Sequence, residues 1–580
     1  MSDAAMADAR CDMACDTGQG SRERWGLRIP LRDGVHLGGT LYLPAEQGTP
    51  GPAICTLTPY IAQTYHDVGR AFAAAGYPFL AIDVRGRGNS EGLFRPGIQE
   101  GPDGHDAVQW IGAQPWCDGR AAMWGGSYSG HLQWATARER PAALAAIAPV
   151  ASLYWGHDFP ARGHMAAPYL MQWLSFTHGR ALQDDIFWDK TYWAERFLAF
   201  YRSGRPFAEL DRFLGLPSEI FQDWIARGAT PGAWDAYNPR QVDYDALDLP
   251  VLSITGAYDG DQPGVLRHYR EHLAGDPEGR RRRHQLVIGP WDHAGTRAPK
   301  AGFCGLSFGD ASLVDLIDLH RSWYDWVLKD GPRPDFLADD MVYYVAGAEV
   351  WRNAPSLEAA TERRQTLYLA ADAEPTDVFR SGRLVEEPGA GLAFSEFIHD
   401  PADESLAALE AQIDHTSKSD QRLQLAASGK QFVFHSAPVD HALTIAGFFR
   451  LLAWLSIDQA DMDFRVSVHA IMPDGAAIQL AFDTMRARYR EGVGAEQLME
   501  CEEPLAFDFS GFFFVARTLP KGSRLRLVIN CVNSIYAQRN RGSGKPVPEE
   551  GAADARPVRV RLYHDAEYPS RLEMPIAAED

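Results

Sequence analysis

Ser127, Asp259 and His293 have the residue types, and the order along the chain, for nucleophilic acyl chemistry. A serine hydroxyl attacks a carbonyl efficiently only when a histidine takes its proton and a carboxylate orients that histidine. Ser127 lies in Met123-Trp124-Gly125-Gly126-Ser127-Tyr128-Ser129-Gly130, after a short apolar run and before His131-Leu132-Gln133-Trp134-Ala135-Thr136-Ala137, which reads as a helix. A serine on a sharp strand-to-helix turn with small neighbours is a nucleophile elbow. The match is to G-x-S-x-x-G, because Ser129 stands where the stricter pattern has glycine. Asp259 follows the apolar run 251–255 and His293 follows the run 285–288, in Gly289-Pro290-Trp291-Asp292-His293. Each therefore falls just past the carboxyl end of an expected strand, in the order Ser, Asp, His that α/β hydrolases use. Three competitors are weaker. The side chain of Asp292 is expected to point away from the neighbouring imidazole, His131 to begin the helix after the elbow, and His105 to sit in a helical run.

These residues need a frame to bring them together. Alternation on both sides of Asp33-Gly34 predicts a hairpin. Apolar runs at 52–57, 79–84, 121–124, 144–150, 251–255 and 285–288 are separated in the first half by helical patterns at 68–75, 103–112 and 131–138. Strands alternating with helices imply a doubly wound, mostly parallel sheet, which binds ligands at the carboxyl ends of its strands. From 152 to 235 the alternation gives way to an aromatic segment with Trp155, Tyr169, Trp173, Phe176, Phe187, Trp188, Tyr192, Trp193, Phe197 and Phe200 at helical spacing. Most should be the core of a helical cap; a few, Trp155 among them, should face a substrate beneath it. Beyond 351, short alternating segments punctuated by Pro473-Asp474-Gly475 and Pro520-Lys521-Gly522 predict an all-β jelly roll. The expected organisation is a leader (1–22), a discontinuous catalytic domain (23–151 and 236–350), a cap (152–235) and a β-sandwich (351–580).

Composition narrows the function. A net charge of −21 argues against nucleic acid or an anionic membrane as partner. The acidic, polar start has no apolar core of a secretory signal, and no apolar run reaches the roughly 18 residues of a membrane helix. Seven scattered cysteines suit free thiols in a reducing, cytoplasmic setting, and Cys11 with Cys15 lacks the second pair a metal site needs. Arg280 to Arg283 reads as a solvated basic loop.

With these motifs in hand, the chain resembles the CocE/NonD hydrolases: cocaine-esterase-like enzymes, Xaa-Pro dipeptidyl-peptidase-like proteins of the S15 type and α-amino acid ester hydrolases. The resemblance rests on Asp83-Val84-Arg85-Gly86-Arg87-Gly88-Asn89-Ser90-Glu91-Gly92, Gln114-Pro115-Trp116, the elbow with its Ser-Tyr step, Tyr258-Asp259-Gly260 and Gly289-Pro290-Trp291-Asp292-His293. It implies an α/β hydrolase with a helical cap and a C-terminal jelly roll, and an oxyanion hole made by the Tyr128 backbone N–H and the hydroxyl of Tyr60 in Thr58-Pro59-Tyr60. Asp158 and Asp261 stand in segments similar to those where α-amino acid ester hydrolases hold carboxylates for a substrate ammonium group. Gln262 occupies the place of that family's third acid. Read structurally, Asp158 would cap a cap-domain helix and Asp261 the helix that Pro263 begins.

The expected activity is therefore hydrolysis of an ester or amide of a small molecule through an acyl-enzyme, with no cofactor and no metal. Transfer of the acyl group to an amine or alcohol uses the same intermediate. Self-association is compatible with everything above. A binding protein working through its jelly roll would have no reason to hold three reactive groups at three strand ends. A metallohydrolase built on His157, Asp158 and His164 lacks a ligand motif.

Overall fold

The ten-stranded sheet that carries the candidate residues is laid out in the order β1-β2-β4-β3-β5-β6-β7-β8-β9-β10. Its strands are β1 (Ser21–Pro30), β2 (His36–Pro44), β3 (Gly51–Thr58), β4 (Phe79–Asp83), β5 (Cys117–Gly126), β6 (Leu144–Val150), β7 (Val251–Gly256), β8 (His284–Gly289), β9 (Met341–Val345) and β10 (Val350–Ala354). The computed structural model describes residues 21–46, 48–228, 230, 232–275, 283–389, 391–492, 494–499 and 502–578. The expected leader up to residue 20, with Cys11 and Cys15, and most of the basic run lie outside the described residues; Ser21 already opens β1.

The hairpin forms at Asp33-Gly34, with Pro30 opposite His36 and Gly34 at φ 86°, a conformation glycine adopts without steric penalty. Neighbouring strands from β4 across to β9 are parallel; β1, β2 and β10 complete the edges antiparallel. Every residue of β4 and β7 is buried, which is why both read as unbroken apolar runs. Helices α1 (His66–Ala74), α2 (Glu100–Gly112), α3 (Tyr128–Arg138), α4 (Gln262–Ala274) and α5 (Leu316–Lys329) cover the sheet. The chain runs from β3 outward to β4 and then back past β3 to β5, so the strand order reverses between β3 and β5. That reversal opens a crevice at their carboxyl ends, the place such sheets use for ligands.

Between β6 and β7 the chain leaves the sheet for a helical cap that includes Tyr169–Phe176, Lys190–Ser203 and Glu219–Arg227. Its aromatics are mostly core: Trp155, Trp173, Phe176, Phe187, Trp193, Phe197 and Phe200 are buried, whereas Tyr169 and Trp188 are exposed. Trp155, Trp173 and Trp224 share one apolar cluster with Tyr128 and Leu132 of α3, so cap and sheet have a common core.

From Arg363 to Ile576 an eleven-stranded sheet and a two-stranded antiparallel ladder of Leu443–Gly447 with Val515–Leu519 form the jelly-roll domain, around an apolar core of its own. It is tied to the catalytic domain by Gln262, at the start of α4. The fully buried Gln262 amide accepts from Phe514 N (2.7 Å) and donates to Phe514 O (3.2 Å) and Gly256 O (3.0 Å). The residue that departs from the acidic pattern is thus a fastener between domains. No helix among the described residues is long and apolar enough to cross a membrane.

Candidate active site

Ser127 sits between β5 and α3 with φ 61° and ψ −128°, a strained conformation for a residue with a side chain. The turn is held by Ser127 N donating to Val150 O (2.9 Å) and by Ser127 O accepting from Gly130 N (2.8 Å) and His131 N (3.1 Å). The glycine pattern follows from what crowds this turn. A Cβ on Gly130 would come within 2.8 Å of Val150 O, and one on Gly126 within 2.9 Å of the Arg297 side chain. The position two after the serine faces no such limit, and Ser129 is accommodated there, buried. Tyr128 N is the first backbone donor of α3, and helix geometry leaves it no acceptor within the helix, so it is placed to meet an oxyanion.

Asp259 follows β7 and is fully buried. Its carboxylate accepts from Thr255 Oγ1 (2.9 Å), Asp261 N (3.1 Å) and His293 Nδ1 (2.8 Å). Burial alone would raise its pKa; the charge of His293 and these donors outweigh it and hold the carboxyl below its ordinary value. His293 shows the mirror image. Burial works against the imidazolium, but Asp259 and then Asp261 raise its pKa above the ordinary value. Its side chain remains 38% exposed, open to a ligand. Asp261 Oδ2 stands 3.6 Å from the same Nδ1. Among the described residues the Ser127 hydroxyl bonds to Tyr60 and not to His293. Hydrogen bonds between nucleophile and base commonly tighten only with substrate in place.

Tyr60 Oη lies 3.3 Å from Ser127 Oγ and accepts from the Trp173 indole N–H at 3.3 Å. The neighbouring Ile61 has φ 67°, which a β-branched residue adopts only when its surroundings impose it. The segment 83–92 imposes it. Asp83 Oδ1 accepts from Ala62 N (2.7 Å), and the buried Arg87 donates to Pro59 O (2.9 Å) and to the cap carbonyls of Gly179 and Ala181 (3.2 Å for Ala181). Trp173 also stacks on the Tyr128 ring at 5.3 Å, so one cap residue packs against both residues proposed to form the oxyanion hole. Beneath them the Tyr128 hydroxyl donates to Glu100, which burial pushes up to about 7. Sequence reasoning missed Trp173 and Arg87 as positioning residues, reading the first as cap core and the second as part of a motif.

The remaining candidates separate. Asp261 is the N-terminal flanking residue of α4, but its side chain does not cap the helix; it faces His293, and burial with repulsion from Asp259 raises its pKa to about 6 against the pull of His293. Asp158 lies within electrostatic reach of Asp261 and has its own carboxyl raised well above the ordinary range, chiefly by burial. It caps a helix, though α4 rather than one in the cap: Oδ2 accepts from Gly264 N (2.6 Å) and Oδ1 from Tyr154 N (2.8 Å). Trp155, expected at the substrate, lies instead in the core. It is 1% exposed, donates to His131 Nε2 at 3.0 Å and packs against Trp224, Trp234 and Tyr237, because the cap aromatics need a centre more than the cleft needs a wall. The competitors have other partners. His131 is buried and held neutral, its pKa lowered by burial to about 3; His105 pairs with Asp106; Asp292 Oδ1 accepts from Gly295 N. Among the described residues the one trio with metal-ligand spacing is Asp259, Asp261 and His293, whose Nδ1 is already engaged by Asp259.

Comparison with known proteins identifies relatives of the chain. The family model for X-Pro dipeptidyl-peptidase (S15 family) matches residues 33–295, and that for the X-Pro dipeptidyl-peptidase C-terminal non-catalytic domain matches residues 334–573. A cocaine esterase of a Rhodococcus species is 24% identical over 577 residues, spanning 95% of this chain and 98% of the relative. Among solved structures, an aminopeptidase from a marine sediment Thaumarchaeota archaeon superposes with a TM-score of 0.81 at 23% identity, over 96% of this chain and 97% of that one. An α-amino acid ester hydrolase superposes with a TM-score of 0.82 at 20% identity, over 98% of both chains. At these identities the two structures bear on the fold.

Proposed function

The chain belongs to the CocE/NonD hydrolases of the X-Pro dipeptidyl-peptidase (S15) type, which act on ester or amide bonds, and we propose that it works by a Ser127–His293–Asp259 triad on an α-amino acyl ester or amide. Ser127 Oγ attacks the carbonyl while its proton passes to His293 Nε2. Asp259, bonded to Nδ1 at 2.8 Å, fixes the ring so that Nε2 is the free base and stabilises the imidazolium that forms. The oxyanion is met by Tyr60 Oη and Tyr128 N. His293 then returns the proton to the leaving group, the acyl group remains on Ser127, and a water deprotonated by His293 releases it. A reducing, cytoplasmic setting fits the free thiols of Cys55, Cys117, Cys304 and Cys531.

The observation that carries the amino acyl assignment is Asp261, a carboxylate 3.6 Å from the triad imidazole and spent on neither capping nor an ion pair with lysine or arginine among the described residues. A carboxylate so placed can meet an α-ammonium group through a charge-assisted hydrogen bond. The test is burst kinetics on two p-nitrophenyl esters, an α-amino acyl ester and its deaminated analogue. We expect a burst with the wild type and none with Ser127→Ala, and a preference for the amino ester that Asp261→Asn abolishes. Equal turnover of both esters by the wild type would retain the triad and discard the ammonium site.

A further inference from the structure

The turn carrying Asp259, the cap and the jelly roll together border a half-open cavity of about 150 Å³, lined in part by Tyr258, Gly260, Arg162, Lys418, Phe482 and Phe513. Its lining is cationic, although the chain as a whole carries a net charge of −21. The Arg162 guanidinium lies over the rings of Phe513 (3.9 Å) and Phe482 (4.5 Å), and its Nη2 is buried with no acceptor. Arg465 stands 4.5 Å from the same Phe482 ring. Among the described residues neither arginine nor Lys418 has a carboxylate within ion-pair distance. The nearby acids are committed elsewhere: Asp483 accepts from Thr484 N and Gly511 N, and Glu410 from Ser534 and Ile535 N. Asp483 and Asp158 act on Arg162, and Glu410 on Arg465, only through space, so among the described residues no carboxylate bonds these cations directly, and aromatic faces return only a fraction of the cost of desolvating them.

We propose that this cavity is an oxyanion subsite that binds a carboxylate, sulfate or phosphate group between Arg162 and Lys418. The volume equals about five waters at their liquid density, room for such a group. Two sources would supply the anion. Gly260 in the cavity wall is flanked by Asp259 and Asp261, so a substrate can carry the anionic group on its acyl end; alternatively a free anion binds and braces the turn. The first source rests on the hydrolase reading above, and the second does not. Burial and then Arg465 push the Lys418 ammonium down to about 8, with Arg162 adding and Cys304 and Asp292 opposing. Anion affinity should accordingly fall as pH rises through 8.

The test has a binding arm and a turnover arm. In the first, sulfate is titrated calorimetrically into Ser127→Ala protein, which needs no activity, and into the same protein carrying Lys418→Met or Lys418→Gln, with circular dichroism reporting the fold of each. In the second, kcat/KM is compared for p-nitrophenyl hydrogen glutarate and p-nitrophenyl valerate, with Lys418 intact and replaced. Sulfate binding that weakens at least tenfold on loss of Lys418 establishes a free-anion site. A glutarate preference that collapses on the same replacement establishes a substrate-borne one. Neither sulfate binding nor a Lys418-dependent preference in folded protein overturns the proposal. Turnover of both esters that survives Ser127→Ala would instead overturn the hydrolase mechanism and leave the binding arm to decide the subsite.

Discussion

Asp261 Oδ2 stands 3.6 Å from His293 Nδ1, the atom that Asp259 already holds at 2.8 Å, so the imidazole faces two carboxylates rather than one. Both raise its pKa. A general base works only when neutral, so activity should fall on the acid side with an apparent pKa above the ordinary histidine value of about 6.5. Asp261→Asn removes one of the two stabilising charges. The acid limb of kcat/KM for a neutral ester should therefore move to lower pH, while the maximum rate changes by less than about tenfold. A limb that stays in place would show that Asp261 does not share the field of the working imidazole.

Tyr60→Phe removes one oxyanion donor and leaves the ring packed against Phe176. Loss of such a donor costs about 3 kcal/mol of transition-state stabilisation, so kcat should fall on the order of a hundredfold with KM little changed. Trp173→Phe keeps the hydroxyl but frees its orientation, and should cost about tenfold. Steady-state kinetics on one ester ranks the two variants; a larger loss for Trp173→Phe would reverse the assignment.

Arg87 touches no substrate, yet it ties Pro59 to the cap and so sets where Tyr60 stands. Arg87→Met would leave the buried Pro59 carbonyl without its donor and release the carbonyls of the exposed Gly179 and Ala181, a loss of about 1–3 kcal/mol. Thermal denaturation should show the fall in stability, and kcat should drop with it as Tyr60 loses its position. Full activity at low temperature in the destabilised variant would separate the brace from the oxyanion hole.

The buried histidines make the fold sensitive to acid. Desolvation holds His131 and His469 down at about 3 and His320 and His399 at about 4, and keeps His268 and His284 well below their ordinary value. In the unfolded chain each takes a proton near pH 6.5, whereas in the folded chain each refuses it. The unfolded state therefore binds more protons, and stability is lost as pH falls below about 6.5. The slope is up to about 1.4 kcal/mol per pH unit for each histidine, until the folded pKa is reached. A melting temperature that is flat between pH 7 and 5 would contradict this.

Much of the frame was legible in the sequence because local and global signals agree along it. Continuous apolar runs became buried parallel strands, and Asp33-Gly34 became the hairpin. The places of Ser127, Asp259 and His293 just past strand ends were legible for the same reason, since a strand end is a local feature. Contacts made across the fold were not. Asp158 could be read as a helix cap, but not as the cap of a helix beginning more than a hundred residues later. Trp155 was chosen for the cleft from its position in the chain, while its indole N–H belongs to His131. Trp173 and Tyr60 meet only because the cap folds back over β3, and nothing in the spacing of either residue reports that.

The Gln262 fastener bears on how small a working enzyme of this kind could be made. A polypeptide stopped after β10 would keep all three reactive side chains, but its Gln262 amide would have water where Phe514 was. The helix start next to the acid would then be free to fray, and with it the alignment of Asp259 and Asp261 on the imidazole. The β-sandwich, remote in sequence, thus acts as a strut for the acid turn, and a minimal version would need a substitute for that strut before it needed any further chemistry.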